Sequence, residues 1–150
     1  MAPADAVGKV LSSEAIDKSF PTTDLQFKDM DDLAAKKRVA GAVFMAEIDR
    51  SNPIFFGFER DVLPLFKTSN LVVQGADDPF VEAANYIEKP LAAGYASDEI
   101  EELVSKTAAV IAKSTGQGVV IGFVDNVHFR GYWDGTNKLM ANAIFMSPLL

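Results

Sequence analysis

An α/β domain, a layered sheet with flanking helices, is what the sequence predicts, and three observations predict it. Segments with strand patterning (42–48, 62–66, 71–73 and 119–124) are interleaved with segments of helical patterning (31–39, 98–114 and 136–146). Residues 119–124, Val-Val-Ile-Gly-Phe-Val, are apolar on both faces, as strands inside helix-covered sheets are. At 150 residues and 49% apolar side chains, the chain has material for one packed core and little more. The single domain is assigned to residues 29–150. Residues 1–28 form a poorly patterned segment, punctuated by Pro3, Gly8 and Pro21-Thr22-Thr23, with at most a short helix at 13–18.

Each element has its own justification. In 31–39, Asp31-Asp32 lead and Lys36-Lys37-Arg38 close, which suits a helix dipole, and Gly41 ends the segment. In 42–48, Phe44, Ala46 and Ile48 share one strand face, before turn formers at 49–53. Ile54-Phe55-Phe56-Gly57-Phe58 reads as core packing, since a nucleic-acid platform wants basic neighbours and finds only Arg60. Residues 62–66 and 71–73 are short strands around Lys67-Thr68-Ser69-Asn70, and Pro64 makes the first an edge strand or an interrupted one. Residues 75–79, with Asp77 and Pro79, make a turn. Periodicity leaves 80–87 open between strand and helix, and Pro90, Gly94 and Ser97 mark a loop. The 98–114 helix is drawn from Asp98 as cap, Glu101 three residues on, and a stripe through Ile100, Leu103, Val104, Thr107, Ala108 and Ile111. Gly116 fits the left-handed position beyond its end. The closing helix, 136–146, offers Leu139, Met140, Ala143 and Ile144 for packing.

Composition excludes several classes of function. Fourteen basic against 21 acidic residues give a net charge of −7, which repels nucleic acid and anionic membranes. No apolar run approaches the roughly 20 residues that span a bilayer, and the start lacks the apolar core of a signal peptide. With no cysteine there is no disulfide, thiolate zinc site or cysteine nucleophile. A catalytic zinc site of two histidines and a carboxylate fails on the single histidine, His128, followed three residues later by Gly131. No Gly-x-Ser-x-Gly elbow occurs, no Walker-type loop occurs, and Gly116-Gln117-Gly118 precedes a strand where phosphate-cradling glycines follow one. No catalytic residue, metal ligand or cofactor is therefore assigned.

What remains is the loop after residue 124. Ligands of open α/β sheets collect beyond the carboxyl ends of strands, where Asp125, Asn126, His128 and Arg130 fall. Read functionally, they form a small polar ligand-binding pocket, with Arg130 holding an anion and His128 exchanging a proton. Read structurally, Asp125 and Asn126 tie the turn to its backbone, Arg130 pairs with a carboxylate, and Tyr132 and Trp133 cover the sheet end. Loop polar groups must satisfy local backbone in any case, which favours the structural reading.

Several segments together resemble a known family. Ala40-Gly41-Ala42-Val43-Phe44 through Glu47-Ile48-Asp49, and Asn52-Pro53-Ile54-Phe55-Phe56-Gly57-Phe58, look like a stretch near the end of large bacterial zinc carboxypeptidases of the carboxypeptidase A-like metallopeptidase family. Glu88-Lys89-Pro90-Leu91, Gly94-Tyr95, Gly118-Val119-Val120, Phe123, Asn126, Phe129-Arg130-Gly131 and Gly135-Thr136-Asn137-Lys138-Leu139 continue it, from about residue 31 onward. The resemblance implies a downstream module of class I glutamine amidotransferase-like, flavodoxin-like fold, carried here as a carboxyl-terminal piece, whole or incomplete. It implies a non-catalytic accessory role beside an amino-terminal peptidase domain that holds the zinc, with peptide substrate as a further partner. It also implies a periplasmic or secreted location. A homodimer covering a free sheet edge is a further partner expectation. Neither the zinc motif nor the amidotransferase cysteine has a counterpart in this chain. The other expectation is a small-molecule binding module with its pocket at the Asp125 loop. An independent hydrolase using His128 ranks below both.

Overall fold

A computed structural model describes residues 8–76, 78, 80–131 and 133–150. Pro3, Asp77, Pro79 and Tyr132 lie outside the described residues. The molecule is mixed α/β and mostly sheet. The strands are β1 (Lys9–Val10), β2 (Ala42–Ile48), β3 (Val62–Lys67), β4 (Val73–Gln74), β5 (Glu82–Gly94), β6 (Ala108–Thr115) and β7 (Gly118–Phe123). The helices are α1 (Ser13–Lys18), α2 (Met30–Lys36), α3 (Asp98–Val104) and α4 (Asp134–Phe145). The seven strands form one sheet in the order β1-β4-β6-β5-β2-β3, and β7 pairs with the edge of β6 that β4 touches at Ala108. Every described strand pair is antiparallel. A flavodoxin-like layout is built instead on parallel strands with crossover helices.

The 98–114 helix is corrected most sharply. It ends at Val104, and the second half of the segment is β6. Ser105 leaves the helical region at φ −50, ψ 128, and Lys106 turns the chain with a left-handed φ of 57. The cause lies in Ala108-Ala109-Val110-Ile111-Ala112, all five buried, because β6 is flanked by neighbours on both edges and covered on both faces. A continuous apolar run suits a central strand and a buried helix equally, and periodicity does not separate them. The helix cap also shifts: the Ser97 hydroxyl accepts from the Ile100 N–H at 3.3 Å, while Glu101 accepts the Leu91 N–H at 3.2 Å.

The segment containing Pro90 and Gly94 is likewise strand, not loop. Between the pairs Phe44↔Leu91 and Ala46↔Tyr86 the chain advances two residues on β2 but five on β5, so residues 87–90 bulge. Pro90, which has no N–H to give a ladder, sits in that bulge. The Ser105 hydroxyl pins it by donating to the Glu88 carbonyl at 2.8 Å. Gly94, at φ +88, ends the strand, and a Cβ there would stand 2.8 Å from Ala42 Cα and 2.9 Å from the Gly41 oxygen. Gly116 opens the two-residue β6–β7 hairpin at φ +64, the geometry of a type II′ turn, and does not end a helix.

Several other elements keep their expected places, although α2 stops at Lys36, short of Val39 and of Gly41. Ala42, Phe44, Ala46 and Ile48 are buried on one face of β2. β3 is an edge strand, which tolerates Pro64. Among the described residues β7 pairs only with β6, and it is half-buried, so its apolar character does not mark the sheet interior. The main core joins Phe44, Leu65, Val110, Ile100, Val104 and Leu139, thereby locking β2, β3, β6, α3 and α4 together. Asn142 of α4 is buried and donates to the carbonyls of Ile54 and Phe56 at 2.8 and 2.9 Å, which fixes the helix on the turn at Pro53–Phe55. Met140 and Ile144, expected to pack, face solvent.

Candidate functional site

The residues after β7 divide at once. Asp125 turns inward and is buried, whereas Asn126, His128 and Arg130 are exposed. Asn126 Oδ1 accepts the His128 N–H at 3.0 Å, an Asx turn that satisfies backbone. Arg130 adopts a left-handed φ of 52, with its guanidinium 5.1 Å from the Phe129 ring centre. The Thr136 hydroxyl donates to the carbonyls of Val127 and Trp133 and so ties the loop to the first turn of α4. Trp133 donates from its indole to the Pro64 carbonyl at 3.3 Å, and Phe66 packs against Phe129 and Trp133 with ring centres 4.3 and 5.9 Å apart. The four residues of the expected pocket therefore do not converge on one space.

Asp125 instead belongs to a buried polar cluster with two residues outside the loop. Lys67 Nζ lies 3.1 Å from Asp125 Oδ1, with the two side chains 0% and 2% exposed. The Tyr86 hydroxyl donates to Asp125 Oδ2. Lys67 Nζ also donates to the Leu71 carbonyl at 2.7 Å and sits 5.6 Å from the Tyr86 ring centre. Lys67 closes β3, Tyr86 lies in β5 and Asp125 follows β7, so the cluster joins an edge strand, an inner strand and the final loop.

Burial governs the ionisation of all three. It pushes the Lys67 ammonium below the usual lysine range, and attraction to Asp125 restores this only in part. It pushes the Asp125 carboxyl up, against the opposing pull of Lys67 and the Tyr86 hydrogen bond. It pushes the Tyr86 hydroxyl up as well, helped by the neighbouring Asp125. The direction common to the pair is towards an uncharged amine and an uncharged carboxyl, because burial penalises both charges.

Tyr86 gives a direct titration test. Its folded value is raised, so its contribution to stability is present below the unfolded value of about 10 and lost as pH rises past it. Lys67, whose value is depressed, has the opposite slope over the alkaline range, so phenolate absorbance is the cleaner readout. In the native protein Tyr86→Phe is expected to leave the phenolate signal near pH ~10 unchanged. In the urea-unfolded chain the same substitution removes one tyrosine's share. A native signal that drops with Tyr86→Phe contradicts the burial.

Lys67 and Tyr86 escaped the sequence reading, yet Lys67 left a trace. Leu63, Leu65 and Lys67 share the buried face of β3, which places a lysine in core-facing register. Among the described residues no group of three or more His, Asp or Glu stands close enough to hold a metal ion. None of their helices is long and apolar enough to cross a membrane. A cavity of about 400 Å³ lies between the 49–53 turn, the 80–82 segment, the end of β6 and Leu149–Leu150. No family model, curated protein or solved structure matches this chain.

Proposed function

We propose that this chain is a non-catalytic accessory domain of an exported zinc carboxypeptidase, packing on the peptidase domain of the same protein and positioning it for proteolysis. The observation that carries the reading is a group of uncovered apolar side chains. Phe56, Phe80, Phe145 and Leu149 are between 66% and 87% exposed. Three of them are tied to Pro53, since Phe80 and Leu149 line one cavity with it and the Phe56 N–H donates to its carbonyl, while Phe145 ends the helix whose Asn142 holds Phe56. Exposed apolar groups gathered in one region favour contact with another protein surface. In this reading the zinc belongs to the peptidase domain. The associated amidotransferase-like, flavodoxin-like fold gains no support from an antiparallel ladder, and the accessory role does not depend on it.

The chain assayed alone against peptides, with and without zinc, releases no carboxyl-terminal residue; turnover by the chain alone overturns the proposal. In titration calorimetry, a zinc peptidase domain of the resembled family binds the chain. Phe145→Asp with Leu149→Asp weakens binding at least tenfold, about 1.4 kcal/mol, without changing the circular dichroism spectrum. The small-molecule reading has less support, since Asp125 points away from Asn126, His128 and Arg130. A thermal shift with amino acids, sugars or phosphates that Arg130→Ala abolishes would restore it.

A further inference from the structure

We propose that Lys67 and Asp125 are joined by an intramolecular isopeptide bond that forms spontaneously once the chain has folded. The amine and the carboxyl are already neighbours. Nζ stands 3.1 Å from one carboxyl oxygen, and the two side chains are buried beyond the reach of competing water. Reacting groups held at such range gain the advantage of an intramolecular reaction.

The surroundings fit the product better than the separate residues. A secondary amide between Nζ and Cγ has one N–H and one carbonyl oxygen to satisfy. The Leu71 carbonyl, 2.7 Å from Nζ, takes the N–H, and the Tyr86 hydroxyl, already donating to Oδ2, serves the carbonyl oxygen. Both polar groups of the amide thus have partners in advance, and two ionisable groups are removed from the interior.

The step balances within the chain. The lone pair of the uncharged Lys67 amine attacks Cγ of the uncharged Asp125 carboxyl, and the C=O electrons move onto Oδ2. There the Tyr86 hydroxyl stabilises the developing charge as an oxyanion donor does. The carbonyl reforms at Oδ2 and Oδ1 departs as water, carrying the carboxyl proton and one proton from Nζ. Burial, which disfavours both charged forms, supplies the reactive protonation states. Tyr86 is a positioning and charge-stabilising group and is not consumed.

Mass spectrometry of the denatured full chain tests this directly and needs no variant to fold. The expected mass is below the sequence mass by one water. After tryptic digestion, the peptide containing Asp125 is expected to be joined to the one containing Lys67, with no cleavage after Lys67. Lys67→Arg is expected at its full linear mass. A wild-type chain at full linear mass, a water deficit mapping elsewhere, or a deficit that persists in Lys67→Arg each overturns the proposal.

Discussion

Replacing Lys67 by methionine is expected to lower the unfolding free energy at neutral pH by about 3–5 kcal/mol from the broken pair alone, the usual loss when one partner of a buried pair is removed. Methionine fills a similar volume, so the loss comes from Asp125, left buried with only the Tyr86 hydroxyl as partner. The sign of its pH dependence follows from the same residue. Burial raises the Asp125 carboxyl, and removing Lys67 deletes the first cause opposing that rise. A raised carboxyl contributes most below its unfolded value of about 4, and the contribution is lost as pH rises through the folded value. The penalty in Lys67→Met should therefore shrink on acidification, and urea unfolding at several pH values reads it. Combining Lys67→Met with Tyr86→Phe and Asp125→Leu should recover most of the loss, since the buried carboxyl and hydroxyl are then removed together with the amine. A covalent link between residues 58 positions apart adds roughly 4 kcal/mol of loop-closure stabilisation to what Lys67→Met removes. A loss under about 1 kcal/mol would mean that Lys67 is solvated.

The sequence made some of this legible and hid the rest for physical reasons. The shared face of Phe44, Ala46 and Ile48 marked β2, and Pro64 limited β3 to an edge or a break, because strand register and a missing N–H are local facts. The division of 98–114 into α3 and β6 was not local. Ala108 to Ala112 are buried because β4, β5 and β7 flank them, and only those distant partners distinguish a strand from a helix there. The 87–90 bulge was hidden in the same way, since Pro90 reads as a loop signal until β2 is placed beside it. At the candidate site, the loop drew attention to Asp125 but not to the residues that it meets. Its partners come from β3 and β5, 58 and 39 residues away, and nothing in the loop points to them.

Phe44→Ala is expected to cost about 3–5 kcal/mol, the range for emptying a buried aromatic site. Phe44 is fully buried in the middle of β2, opposite Leu65 of β3 and Leu91 of β5. Both neighbouring strands are held by ladders on either side of β2, so the walls of the new cavity have little freedom to collapse. The ring also meets Tyr86 edge to face, with centres 6.1 Å apart and planes at 75°, which adds a contact of about 0.5–1.5 kcal/mol. That contact links the apolar core to the polar cluster, because Tyr86 is the residue that reaches Asp125. Phe44→Ala and Tyr86→Phe should consequently be non-additive, with a coupling above about 0.5 kcal/mol in a double-mutant cycle read by urea unfolding. Additive losses would mean that the Phe44 ring does not help to position the Tyr86 hydroxyl. Coupled losses would make the placement of Lys67, Tyr86 and Asp125 a property of how the central strands pack, which no single loop could supply.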